Sequence, residues 1–189
     1  LFRCLKENKL MKKLAIALLI AAGMGSAQAA NFFDFEVQTV KDSKTKAEST
    51  AQYLRVGKDM AGLQFGLQAR TQAFDGGGMV NSIEATAGKD LVKGLHTFAG
   101  VGYDNGFNGS GSFQYGLVGA STGAKVGPFF GYAGVKTRVN WESANPKQTV
   151  AFAGLSYPLN KHASVSAGYS KSYQDIKEDA WGAGIRFSF

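Results

Sequence analysis

From Asn31 to the last residue, apolar and polar side chains exchange places along the chain with a period of two. In 62–74, Leu63, Phe65, Leu67, Ala69, Thr71 and Ala73 oppose Gln64, Gly66, Gln68, Arg70 and Gln72. In 95–103, Leu95, Thr97, Ala99, Val101 and Tyr103 oppose His96, Phe98, Gly100 and Gly102. In 163–170, Ala163, Val165, Ala167 and Tyr169 oppose Ser164, Ser166, Gly168 and Ser170. Successive side chains of a strand point to opposite faces, so each segment predicts a strand with one apolar face and one small or polar face. No window of useful length sustains the 3.6-residue period of a helix.

Ten such strands are predicted, at 31–40, 50–58, 62–74, 79–88, 95–103, 112–122, 128–140, 148–157, 163–172 and 180–189. The segments 50–58 and 79–88 alternate least clearly, which leaves eight strands as the alternative count. Turn residues separate them. One set of connectors is Lys58–Ala61, Lys89–Gly94, Gly123–Gly127 and Pro158–His162; the other is Lys41–Ser49, Asp75–Gly78, Asp104–Gly111, Trp141–Lys147 and Tyr173–Asp179. Dyad-patterned segments of about ten residues joined by turns are the signature of a transmembrane β-barrel, and an even count returns both ends of the chain to one side. The aromatics are expected in two belts. Phe33, Phe129, Tyr157 and Phe189 lie toward one rim, and Tyr103, Phe113, Trp141, Tyr169 and Trp181 toward the other, as a bilayer with two interfaces selects.

An exported antiparallel sandwich would alternate as well. Its second face, however, would meet water and carry charge. Here that face is rich in Gly, Ser and Gln, a poor solvent surface and a good lumen lining. Closure into a barrel also removes sheet edges and satisfies the backbone in lipid. The predicted fold is therefore a closed antiparallel up-and-down barrel over residues 30–189.

A secretory signal is expected before it, at residues 11–29. Lys12 and Lys13 form the positive region, Leu14–Ala22 the apolar one, and Ala27-Gln28-Ala29 the small-x-small cleavage site. The apolar run breaks at Gly23 and Gly25, short of the ~20 residues a spanning helix needs. Cleavage would make Ala30 the first mature residue, and residues 1–10 are expected to be an upstream extension. The whole chain carries 21 basic and 14 acidic residues, a net +7. Taking away five basic residues and one acidic residue before Ala30 leaves 16 against 13, or +3. That excess is too mild for a nucleic-acid partner. The sole cysteine, Cys4, would go too, so no disulfide or thiol site is expected.

The closing stretch is the most specific. Trp181, Ala183, Ile185, Phe187 and Phe189 share one parity against Gly182, Gly184, Arg186 and Ser188. With the signal, this resembles the small outer-membrane β-barrel proteins of Gram-negative bacteria, broadly OmpA/OmpX-like or opacity-protein-like. The resemblance implies that Trp181, Ile185, Phe187 and Phe189 form the signal read by the barrel-assembly machinery. It also implies a setting among outer-membrane lipids and lipopolysaccharide.

Candidate chemistry is sparse. His96 and His162 are the only histidines, and a serine nucleophile would need one within hydrogen-bond reach. Ser164 and Ser166 near His162 lie in an ordinary alternating strand. Two separated histidines make no metal set, and the Gly-rich stretches Asp75–Gly78 and Gly106–Gly111 open no helix that could cradle phosphate. No cofactor and no enzymatic activity are expected. The inward charges carry more meaning: Glu36, Arg55, Arg70, Glu84, Lys136, Arg138 and Arg186 all fall on the polar parity. In lipid each would cost about 2–4 kcal/mol near the midplane, so they must face the lumen. They read either as an ion-pair network filling the barrel, with Glu36 and Glu84 bracketed by arginines, or, at five basic to two acidic, as a constriction for small anions. The expected role is a structural or narrow passive-channel barrel. The alternative is a surface binding protein, an adhesin or phage receptor, working through short outer loops.

Overall fold

The computed structural model describes residues 31–75, 77–92, 94–105, 111–141 and 146–189. The expected extension and signal peptide, residues 1–29, fall outside them. Ten strands follow one another: β1 Phe32–Asp42, β2 Glu48–Met60, β3 Leu63–Phe74, β4 Met79–Val92, β5 Leu95–Asn105, β6 Ser112–Val126, β7 Phe129–Asn140, β8 Gln148–Pro158, β9 Ala163–Gln174 and β10 Glu178–Ser188. Every neighbour in sequence is an antiparallel neighbour in space, and β1 pairs with β10 to close the barrel. The count is ten and not the alternative eight. The two weakly alternating segments become full strands because both their edges are taken, by β1 and β3 for β2 and by β3 and β5 for β4.

The observed strands outrun the predicted ones at several ends. β2 begins at Glu48 and ends at Met60, β4 reaches Val92 and β6 reaches Val126. The turns at the terminal rim shrink accordingly. Met60 pairs with Leu63 across Ala61 and Gly62, both at positive φ, the pattern of a type I′ hairpin turn that matches strand twist. Val126 pairs with Phe129 across Gly127-Pro128, with Gly127 at φ 61°. The seam is tied at the same rim, where the Asn31 and Phe189 amides donate to each other's carbonyls at 3.3 and 3.0 Å.

Outside, the barrel is apolar where a soluble protein could not be. Phe35, Val37, Val101, Val118, Val135 and Leu155 are all exposed on its wall. Water would penalise such a surface, whereas acyl chains solvate it. The molecule thus has the architecture of a transmembrane β-barrel of the outer-membrane type. Tyr169 and Trp181 pack at 4.9 Å near the loop rim, and Phe129 and Tyr157 at 5.5 Å near the terminal rim. One belt assignment fails. Phe113 is buried at 6% exposure and packs inside the barrel against Val80, Tyr115, Leu117 and Ile176. Its parity is that of Tyr115 and Leu117, so the strand turns it away from lipid.

Candidate functional site: the charged lumen

Inward side chains fill the barrel in tiers, and the antiparallel register decides who meets whom. Nearest the terminal rim, Asp34 and Glu36 on β1 face Arg186 on β10 and Arg55 on β2. Arg186 donates to Asp34 at 2.8 Å and lies over the Phe32 ring at 4.4 Å. Arg55 donates to Glu36 Oε2 at 2.5 Å and to Gln68 Oε1 at 2.8 Å, and stands 3.7 Å from Asp34. Gln38 completes this tier by donating to Glu36 Oε1 at 2.6 Å.

Glu84 occupies the middle. Its carboxylate accepts from Lys136 Nζ at 2.7 Å, the Tyr115 hydroxyl at 2.9 Å and Gln68 Nε2 at 3.1 Å. Tyr115 reaches it because the neighbouring strand offers Gly102 beneath the phenol, where a Cβ would overlap the ring. Ring and glycine together make a flat, filled layer that no larger residue at 102 would permit.

Toward the loop rim, Arg138 pairs with the fully buried Asp104 at 3.3 Å and covers the Tyr115 ring at 4.2 Å. Arg70 pairs with Glu178 at 3.5 Å and donates to Gln72, whose own amide donates to Ser49 Oγ at 2.8 Å and Glu178 Oε1 at 3.2 Å. Above these charges Ile176, from the loop between β9 and β10, turns into the mouth and closes it with Val80, Phe113, Tyr115 and Leu117. That loop is held by its neighbours. The Asp175 amide donates to the Lys147 carbonyl at 3.1 Å, the Lys147 amide to Asp175 Oδ2 at 2.8 Å, and the Ser43 amide to the Lys177 carbonyl at 2.8 Å. The free space follows this gradation. A cavity of about 60 Å³ remains among the upper charges, and one of about 490 Å³ lies toward the terminal rim, walled by Phe98, Phe130, Tyr132, Phe152, Ser164 and Ser166.

All seven charges singled out in the sequence point into the lumen, and each has an opposite partner there. Two details differ from the sequence reading. Glu84 is neutralised at bonding distance by Lys136 and not by arginine, because Arg70, Arg138 and Arg186 each have a carboxylate of their own. The five-to-two excess of basic residues also disappears. Asp34, Asp104 and Glu178 join the lumen, so the ion-paired lumen side chains among the described residues are five acidic and five basic. Asp104 and Glu178 were expected in loops, but β5 and β10 extend to include them. Carrying the alternation one or two residues past each predicted end would have found both. Nothing in the pattern marks Ile176, which lies in a loop.

The histidines serve the rim. His96 Nδ1 lies 2.9 Å from Asp90 Oδ1 with its ring stacked on Phe98 at 6.2 Å, and His162 Nδ1 lies 3.1 Å from the Ser188 carbonyl. Among the described residues no group of three or more His, Cys, Asp or Glu is placed to hold a metal ion. At the seam, Trp181, Ile185 and Phe187 alternate outward with Gly182, Gly184 and Arg186 inward, and Phe189 is exposed at the terminal rim.

No protein-family model matches the chain, and no curated protein matches it in sequence. Its fold is similar to the translocator domain of the autotransporter NalP from Neisseria meningitidis, at TM-score 0.48 and 12% identity over 95% of each chain. It is similar to Neisserial surface protein A, at TM-score 0.44 and 16% identity over 87% of this chain and 99% of that one. The NanC porin gives TM-score 0.50 and 11% identity over 82% of this chain and 100% of that one. At these identities the likeness is one of fold.

Proposed function

We propose that the protein is a non-catalytic integral barrel of the bacterial outer membrane whose part is structural, with at most a narrow and nearly unselective leak. The observation that carries this reading is the lumen's ion pairing, five acidic against five basic paired side chains among the described residues, in tiers beneath an apolar cap around Ile176. An anion path needs positive charge left over after pairing, and a conducting path needs continuous water. This lumen supplies neither along its upper half. Conductance recordings on the refolded protein in planar bilayers test the reading. Silence or rare small openings without anion preference are expected; large, steady openings would overturn it in favour of a porin. In this reading Trp181, Ile185, Phe187 and Phe189 engage the barrel-assembly machinery, and the outer belt sits among lipopolysaccharide. The surface-binding alternative has less to work with. The loop between β9 and β10 is bound to two neighbouring loops, which ties up part of the surface that recognition would use.

A further inference from the structure

The two halves of the lumen are built differently. Ion pairs and the Ile176 cap fill the loop side, whereas a cavity of about 490 Å³ stays open between the Glu84–Lys136 pair and the terminal rim. Its volume falls within the ~300–1,000 Å³ of small-molecule pockets. Gln38, Gln68, Glu84 and Lys136 line its inner end. Its mouth lies at the rim of the two-residue turns Ala61-Gly62 and Gly127-Pro128, the short connections that such a barrel turns to the periplasm. The space is a blind pocket and not a passage.

Unlike walls face each other across it. Phe98 on β5, Phe130 and Tyr132 on β7 and Phe152 on β8 make one. Each ring leans along the wall with its far edge over a glycine, Gly119, Gly123, Gly154 and Gly134 in turn, where a Cβ would overlap it. The rings therefore cover the wall and leave the axis free. Phe130 is 48% exposed although it shares the inward parity of Tyr132 and Lys136, so a large apolar surface meets lumen water. Asp34, Glu36, Arg55 and Arg186 make the other wall; in the ring of ten, β10 lies five strands from β5, and β2 five from β7. These charges are paired with one another, which leaves no net charge to attract an ion. Hydroxyls are the groups in surplus. Among the described residues the hydroxyls of Tyr132, Ser156, Ser164 and Ser166 have no hydrogen-bond partner, and each can both donate and accept.

We propose that this pocket binds a neutral saccharide of one or two rings, entering from the periplasmic side. The C–H face of a pyranose is weakly positive and stacks on the negative face of an aromatic ring. Its edge is a rim of hydroxyls, which the serines, carboxylates and guanidinium groups can meet as donors and acceptors. Arg186 spends Nη2 on Asp34 and its side chain is 46% exposed, so it keeps N–H groups to offer. From Ser164 to Ser170 the pocket runs six residues along β9, ~20 Å of strand and about 15 Å of depth at the usual tilt, enough for two rings in line. A hydrocarbon would leave the hydroxyls unmet, and an anion would find these arginines already paired. Such a site adds to the structural role and holds whether or not the barrel conducts.

Equilibrium dialysis of labelled maltose, lactose and N,N′-diacetylchitobiose against protein refolded in a zwitterionic, sugar-free detergent tests this. At least one of the three is expected to bind saturably, one molecule per barrel. Phe130→Leu keeps an apolar side chain without the stacking face and should weaken that binding about tenfold or more. Ser166→Phe projects into the open space and should abolish it. Val101→Ala, on the lipid-facing wall, is the control and should bind as wild type does. All three variants are expected to keep heat-modifiable migration on gels. No saturable binding of any of the sugars overturns the proposal, as does undiminished binding by Phe130→Leu or Ser166→Phe, or lost binding in Val101→Ala. Tighter binding of lactobionate, the anionic relative of lactose, than of lactose itself would make this an anion site and overturns it too. Should the pocket variants fail to fold, Ser166→Cys in a Cys4→Ser background is refolded first and then capped with N-benzylmaleimide. Capping is expected to remove sugar binding, and binding that survives it overturns the proposal as well.

Discussion

Replacing Glu84 with Gln keeps the shape of the middle tier and removes one charge. Glu84 is 5% exposed and accepts from Lys136, Tyr115 and Gln68. The Tyr115 hydroxyl can still donate to the amide oxygen, so that bond survives. The Lys136 ammonium, in contrast, loses its only carboxylate at bonding distance among the described residues and stays inside the barrel near Arg138. Breaking a fully buried pair costs about 3–5 kcal/mol because a lone charge remains. The Lys136 side chain is 21% exposed, and lumen water screens part of that cost. The expected loss is therefore about 2–3 kcal/mol. It is read from denaturant unfolding of protein refolded into vesicles, followed by tryptophan fluorescence. The double variant Glu84→Gln/Lys136→Met separates charge from packing: stability should return to within about 1 kcal/mol of wild type, since a neutral pair leaves no orphan ion. A single variant within about 0.5 kcal/mol of wild type would refute the reasoning. Additive losses in the double variant would do the same. The variant lumen also carries one net positive charge, so any residual current should shift its reversal potential toward chloride.

Further outcomes follow from the same geometry. Ile176→Ala should cost about 2–4 kcal/mol from the cavity it leaves and should increase single-channel activity, because it unstops the loop-side mouth; an unchanged recording would show that the charges below form the real barrier. Gly102→Val should push Tyr115 off Glu84, at a cost of about 1–3 kcal/mol for overpacking, which the same unfolding assay measures. Phe189→Asp should sharply reduce assembled barrel in cells while costing only about 0–1 kcal/mol in refolded protein, since it sits at the interface; normal surface levels would sink the assembly role. Val101→Lys, at the lipid-facing centre of β5, should destabilise the barrel in vesicles by about 2–4 kcal/mol, and a negligible effect would argue against immersion of that wall.

The sequence alone determined the antiparallel order and which face of each strand meets lipid, and it left the strand count at ten or eight. A period-two pattern admits one solution once both faces are known, because slipping a strand by one residue would invert every side chain on it. The inward direction of Arg70 and Glu84 was legible for the same reason, as was the outward direction of Trp181 and Phe187. What escaped it was anything that requires two strands to be placed side by side. Whether Glu84 meets Lys136 or an arginine depends on the stagger among β4, β6 and β7, which no single strand encodes. Asp104 and Glu178 enter the lumen only because hydrogen bonding to neighbours carries β5 and β10 beyond their clear alternation. The tertiary structure also decided that Ile176 stops the mouth and that Phe113 is core and not belt. Those outcomes come from packing inside a closed ring, where a side chain's environment is set by strands far away in sequence, while local alternation fixes only which of the two faces it leaves by.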